Sequence, residues 1–298
     1  MAIINFGSLN LDHVYTMPHF VRPGETLSAG DYRVYWGGKG LNQSVAAARA
    51  GGDVRHAGMI GAGGENLLAF LKECGVDTTL IASTEVPQGH ALIQVSETGE
   101  NSIILYHGSN SEVSEDYIDR VLEAMPAGSY VILQNEISNV SHVISKASQA
   151  GYRIVLNSSP FDVSFRQLDL KQLDWLIMNE IETEEMFGTQ DPEKVIDILE
   201  QCAPELGVVL TFGSKGSVCY RGGQMVRQDI YPVKALDTTG AGDTFTGYFV
   251  AALNEGKTLK DAMRLAAAAS AIAVSRKGAA PSIPSREEVE TFLQNKIG

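Results

Sequence analysis

Two glycine-rich segments carry the residue types best suited to chemistry, and each runs directly into a helix-like pattern. The later one is Asp237-Thr238-Thr239-Gly240-Ala241-Gly242-Asp243-Thr244-Phe245. Phe245, Tyr248, Phe249, Ala252 and Leu253 then follow the spacing of one helical face, which puts Gly240, Ala241 and Gly242 at its first turn. Small residues there leave backbone N–H groups open to an anion, so the segment has the makings of a phosphate cradle. The helix-end field is worth only about 0.3 to 2 kcal/mol and assists binding rather than accounting for it. Asp243 is favoured by that field whatever its role, and acidic residues in first turns are common. Held ionised, it is a weak base at rest. Phosphoryl transfer tolerates this, because the attacking hydroxyl becomes acidic late and positioning supplies most of the catalysis. Taken alone, the segment points to phosphate and not to one reaction.

The earlier segment is Trp36-Gly37-Gly38-Lys39-Gly40-Leu41-Asn42-Gln43, again leading into a helix. Its glycines permit close backbone approach to a ligand, while Lys39 and Asn42 offer directed hydrogen-bonding groups; a plain glycine turn would look alike. Asn10 and Asp12 follow the first expected strand at its carboxyl end, where open α/β sheets bind ligands, and two polar residues two apart suit neighbouring sugar hydroxyls. No GxxxxGK[ST] loop occurs. Gly61-Ala62-Gly63-Gly64 lacks the third glycine of a dinucleotide fingerprint, which weakens a nicotinamide-dependent reading.

Strand-like apolar runs at 2–6, 54–60, 130–133, 154–156, 175–178 and 208–210 alternate with amphipathic stretches at 40–49, 67–74, 115–124, 140–149, 184–187 and 193–201. Helical patterns at 241–253, 260–274 and 286–294 close the chain. This alternation predicts an α/β fold, an open and mostly parallel sheet flanked by helices. Two insertions, at about 12–36 and 89–107, break the rhythm with extra strands; the second is a hairpin turning at Ser96-Glu97-Thr98-Gly99-Glu100. They predict a small projecting sheet that closes over a ligand, meets a partner chain, or does both. The 298 residues, 44% hydrophobic and 20% charged, are read as one domain spanning 1–298.

A formal net charge of −13 argues against nucleic acid and against anionic membrane surfaces, and it requires any anionic ligand to be held by local groups. No apolar run suits a bilayer span and the N-terminal stretch lacks signal-peptide zones, so a cytoplasmic location is expected. Cys74, Cys202 and Cys219 are scattered and read as ordinary core residues. The six histidines show no metal-ligand spacing.

With these motifs in place, the chain resembles the ribokinase family of carbohydrate kinases, also called the phosphofructokinase-B type. The segment from Gly37 to Ser44, with Gly51 and Gly61 downstream, looks like the family's N-terminal signature, and Asp237 to Gly247 looks like its C-terminal one. The resemblance implies an ATP-dependent sugar kinase in which Asn10, Asp12, Gly38, Lys39, Asn42 and Glu136 contact sugar and Asp243 is the catalytic base. Gly240, Ala241 and Gly242 would form the anion hole for the transferred group. Asn179 and Glu182 would help organise Mg²⁺ and phosphates, and Thr211, Gly213, Ser214 and Gly216 would bind nucleotide.

The resemblance further implies a K⁺ ion beside the anion hole, at Asp237, Thr239, Ala273, Arg276, Gly278 and Ser282, with Arg276 able to offer only its carbonyl. It makes the projecting sheet a lid and a homodimer interface. Asn10-Leu11-Asp12, Gly38-Lys39-Gly40 and Gln134-Asn135-Glu136 favour ribose as acceptor; another sugar, a nucleoside, a phosphosugar, or a non-catalytic sugar-binding role are the alternatives. Tyr248 and Ala267 depart from the family pattern, behind the anion hole and near the expected adenine site respectively.

Overall fold

Runs such as Ile3–Phe6 and Tyr130–Leu133 have no polar alternation, so both of their faces have to be covered. The computed structural model, which describes residues 1–297, satisfies this with helices on both sides of one large sheet. The chain opens with β1 (Ile3–Phe6), β2 (Asn10–Met17), β3 (Asp31–Gly37), α1 (Lys39–Arg49), β4 (Val54–Ala57), β5 (Met59–Ala62) and α2 (Glu65–Glu73). It continues with β6 (Ala82–Pro87), β7 (His90–Ser96), β8 (Asn101–Tyr106), α3 (Glu115–Ala124), β9 (Tyr130–Leu133), α4 (Val140–Gln149), β10 (Arg153–Asn157) and β11 (Trp175–Asn179). Then come α5 (Glu180–Phe187), α6 (Pro192–Cys202), β12 (Gly207–Thr211), β13 (Ser217–Arg221) and β14 (Gln224–Gln228), followed by α7 (Ala241–Asn254), α8 (Leu259–Val274) and α9 (Arg286–Ile297).

The large sheet has the order β14-β13-β12-β11-β10-β9-β1-β4. It is parallel from β4 to β12, and β13 and β14 extend it antiparallel. Alternate strand residues feed two cores. Ile3, Ile132, Val155, Ile177 and Val209 pack with α1, α7 and α8, while Ile4, Val131, Ile154, Leu176 and Val208 pack with α3, α4 and α6. Trp175 meets Phe249 of α7 edge to face at 5.1 Å, fixing that helix against the sheet. Ala266, Ala268 and Ala269 are buried, as a tightly packed helix requires.

The two insertions form one four-stranded lid sheet of order β3-β2-β7-β8, with β2 and β7 parallel. Gly99, at φ +84°, makes the β7–β8 turn, and its N–H donates to the Ser96 carbonyl at 2.9 Å. The expected strand over 54–60 is two strands in different sheets, separated at Gly58: β4 lies in the large sheet and β5 pairs with β6. Only Cys219 is buried; Cys202 is exposed and Cys74 intermediate, which corrects their reading as core residues. No helix among the described residues is long and apolar enough to cross a membrane.

Candidate active site

The two glycine-rich segments meet because α1 and α7 pack backbone to backbone. A Cβ at Gly247 would lie 2.5 Å from Ala46 Cβ and 2.7 Å from the Gln43 carbonyl oxygen, so only glycine allows this approach. Asp243, 7% exposed, is thereby brought to α1: its Oδ2 accepts from Asn42 Nδ2 at 3.0 Å and its Oδ1 from Gln43 Nε2 at 2.9 Å. Of these two donors, the sequence reading named Asn42 and missed Gln43. Asn42 Oδ1 is buried without a partner and remains free to accept from a ligand hydroxyl.

On one side of Asp243, acidic side chains gather where β2 of the lid sheet approaches the start of α1. Asn10 is 3% exposed, and its Oδ1 accepts from Asn110 Nδ2 at 2.7 Å, a second-row contact that sequence reading did not identify. Glu136 Oε2 accepts from Ser8 Oγ at 2.5 Å and from the Lys39 backbone N–H at 3.0 Å, so Glu136 is tied to the start of α1. Gly38, at φ +93°, caps that helix. Burial pushes the Asp12 carboxyl up to about 7, and the nearby Glu136 and Asp243 push it further in the same direction. Burial works against the Lys39 ammonium, but Asp243, Glu136 and Glu182 outweigh it and hold Lys39 above the ordinary lysine range.

On the other side, the open first turn of α7 borders a cavity of about 360 Å³. Thr211, Gly213, Ser214 and Gly216 line it together with Ala241 and Gly242, so the candidate nucleotide residues and the candidate anion hole share one space. Ala267 lines it too, as do Ile230, Tyr231 and Val233, an irregular stretch without periodicity that sequence reading passed over. Gly240 starts α7 at φ +73°, whereas a Cβ on Gly242 would meet no protein atom within 4 Å. Thr244 N donates to the Gly240 carbonyl at 2.8 Å and Ala241 N to the Thr238 carbonyl at 3.3 Å, which leaves the N–H groups of Gly242 and Asp243 as the open donors of the first turn. Tyr248 points the other way; its hydroxyl donates to the Pro284 carbonyl at 2.8 Å and anchors α7 to the segment before α9.

Asn179 and Glu182 form a capping box at the start of α5. Asn179 Oδ1 accepts from the N–H groups of Ile181 and Glu182, both at 2.9 Å, and Glu182 Oε2 accepts from Asn179 N at 3.1 Å and Ser158 Oγ at 3.2 Å. The Asn179 oxygen is thus committed to the helix, leaving its NH₂ and the second Glu182 oxygen for a ligand. That donor set fits a hydrated Mg²⁺ held through water, since this ion keeps several waters, rather than one stripped by a protein cage. Near the anion hole, Asp237 Oδ1 accepts from Thr239 N at 3.0 Å and Oδ2 from Gly278 N at 2.9 Å, which draws the two candidate K⁺ segments together. Ser282 Oγ donates to the Ala279 carbonyl at 2.7 Å, and the Arg276 guanidinium is turned to Glu288, leaving its carbonyl as its only candidate ligand. A carboxylate with backbone carbonyls is a hard-oxygen set that suits K⁺.

Three comparisons bear on this arrangement. The profile described as pfkB family carbohydrate kinase matches residues 2–286. Ribokinase of Haemophilus influenzae is 39% identical over 300 residues, covering 97% of each chain. Among solved structures, ribokinase from Thermotoga maritima superposes with a TM-score of 0.87 at 33% identity, covering 99% of this chain and 100% of that one. Arabidopsis thaliana ribokinase complexed with ribose and ATP superposes with a TM-score of 0.84 at 32% identity, covering 99% of both chains.

Proposed function

Because this chain belongs to the pfkB family of carbohydrate kinases, we propose that it transfers the γ-phosphoryl group of ATP to a sugar hydroxymethyl oxygen, with D-ribose, giving ribose 5-phosphate, as the acceptor. One observation supports the reading: Asp243 is bonded to Asn42 and Gln43 at the start of α1 and directly follows Gly242, which with Ala241 borders the cavity. The sugar lies on the first side, its hydroxyl donors meeting Asn10, Asp12, Asn42 and Glu136. ATP lies on the second, its γ-phosphate at the start of α7 beside Gly240, Ala241 and Gly242.

In the transfer, the hydroxymethyl oxygen forms a bond to the γ-phosphorus as the bond to the β–γ bridging oxygen breaks, and ADP leaves. The hydroxyl proton passes to the Asp243 carboxylate. Negative charge on the transferred group is met by first-turn N–H groups, which are already oriented and need no reorganisation. Asn179 and Glu182 would hold Mg²⁺ through water, and the ion would supply neutralisation of phosphate charge. K⁺ at the Asp237, Thr239, Ala273, Arg276, Gly278 and Ser282 segments would steady the loops flanking the anion hole.

The chain acts as a single α/β unit in the cytoplasm and pairs with a second copy through its lid. Supporting the pairing, the edge strand β8 leaves Ile103, Ile104, Leu105 and Tyr106 exposed, Ile104 by 62%, with Leu92 exposed on the adjacent β7 and Tyr32 and Val34 on the opposite edge strand β3. Coupled ADP release across ribose, other pentoses, hexoses, nucleosides and phosphosugars tests the acceptor; a higher kcat/KM for any other acceptor rejects ribose. Asp243→Asn is expected to lower turnover by about 10²- to 10⁴-fold while sugar binding largely survives, and near-normal turnover removes Asp243 from its role.

A further inference from the structure

Behind Asp243, on the side away from both ligand spaces, lies a chain of buried polar side chains that the transfer as described does not use. Asn5, Gln43, Ser44, His56 and Gln134 are each 0% exposed. Gln43 Oε1 accepts from Gln134 Nε2 at 2.8 Å, and the same Nε2 donates to Asn5 Oδ1 at 2.9 Å. Asn5 Nδ2 donates to the Gly40 carbonyl at 2.7 Å and to Ser44 Oγ at 2.9 Å. Ser44 Oγ lies 2.8 Å from His56 Nδ1, and His56 Nε2 lies 3.1 Å from the Gly7 carbonyl.

The direction of every link follows from its two ends. A carbonyl only accepts, so Gly7 requires the proton on His56 Nε2. Burial pushes the imidazole down to about 4, so it is neutral and Nδ1 is bare. Ser44 must then donate to Nδ1 and accept from Asn5, whose NH₂ is independently claimed by the Gly40 carbonyl. Asn5 consequently turns its oxygen to Gln134, both Gln134 N–H groups are used, and Gln43 presents its oxygen to Gln134 and its NH₂ to Asp243. Reversing any amide would set oxygen against oxygen in a dry interior.

We infer that Gln43 is the positioning residue of the catalytic carboxylate, its amide locked by the Gln134–Asn5–Ser44–His56 chain so that Asp243 Oδ1 is held while Oδ2 faces the sugar. This rests on the assignment of Asp243 as base. Asn42 also donates to Asp243, but its own oxygen has no protein partner, so no protein group fixes that amide from its far end. Gln43 has both ends engaged and stays put through the cycle. The charged groups facing Asp243 are Asp12 from β2 and Lys39 from α1.

The test compares Gln43→Met, Gln43→Glu and Asp243→Asn with the parent enzyme, using the best acceptor of the panel with ATP and Mg²⁺ and thermal melts to verify folding. Gln43→Met keeps the shape and removes the donor; kcat is expected to fall about 10- to 100-fold with sugar KM within about threefold. Gln43→Glu sets a carboxyl against Asp243, so the acid limb of the kcat profile is expected to move up by about one pH unit or more, which loss of packing alone would not do. A folded Gln43→Met with parental kcat, or an unmoved limb in Gln43→Glu, overturns the inference even where Asp243→Asn is inactive. Near-normal turnover in Asp243→Asn overturns the base assignment and this inference with it. Should Gln43→Met fail to fold, the limb in Gln43→Glu decides.

Discussion

Gly242→Ala should raise the stability of the protein and nearly abolish its activity. Gly242 lies in the first turn of α7 with ordinary helical backbone, and an added Cβ would meet no protein atom within 4 Å. Replacing glycine by alanine at a compatible site stabilises by about 0.4 to 1 kcal/mol through the unfolded chain. For a protein of this size that is a rise in Tm of about 1 to 4 °C. The methyl group instead enters the space where the γ-phosphate has to approach the N–H groups. Losing one such donor costs about 10²- to 10³-fold in kcat, and a methyl wedge acts on the whole cradle. Gly240→Ala is the internal contrast: at φ +73°, with Ala279 Cα and Cβ both 3.2 Å from the new atom, it should destabilise by about 1 to 2 kcal/mol. Calorimetry and steady-state kinetics on both variants check this. A Gly242→Ala enzyme with raised Tm and kcat within about threefold of the parent refutes the placement of the phosphoryl group at this turn.

Asp12, raised to about 7 from its ordinary value of 3.8, costs stability as pH rises from about 4 to about 7, where the unfolded chain releases the proton and the folded one retains it. Asp12→Asn should remove that slope, giving a urea midpoint above the parent's at pH 8 and little difference at pH 4. Replacing potassium by sodium should slow turnover at saturating ATP, and equal rates in the two salts would count against the cation loop. Ile104→Glu puts a charge in the middle of the exposed lid edge and should weaken self-association at least about tenfold in sedimentation equilibrium.

The layered fold was legible because buried parallel strands and their covering helices have different hydrophobic periods, and the lid was legible because its strands interrupt that alternation. Three parts were not. Gly58 breaks one apolar run into β4 and β5, and nothing in the run itself marks a change of sheet. The β13–β14 hairpin was overlooked although Gly222-Gly223 between two short runs is a hairpin signal. The wall from Ile230 to Val233 has no regular structure, so no periodicity could announce it. In the site, local motifs single out Asp243 and Asn42 as separate candidates, but the bond between Gln43 and Asp243 spans 200 residues of sequence and depends on how closely two helices approach at Gly247.

A chain with net charge −13 that takes up a polyanion has to separate its charges in space, and the site does so. Asp12, Glu136 and Asp243 gather on the side where the proposed function puts a neutral sugar, and their mutual repulsion is relieved by Lys39 and by the raised proton affinity of Asp12. Among the described residues, the cavity beyond α7 is lined by one carboxylate, Asp229, with the Gln228 amide, glycines, hydroxyls and apolar side chains. There a triphosphate meets backbone dipoles instead of anions. Under the proposed function Asp243 acts between sugar and nucleotide, and the negative γ-phosphate would approach an anionic base only if that base were fixed in place and shared its charge with donors. Asn42 and Gln43 provide those donors, so the geometry that orients Asp243 also lowers the repulsion its charge imposes on the incoming phosphate.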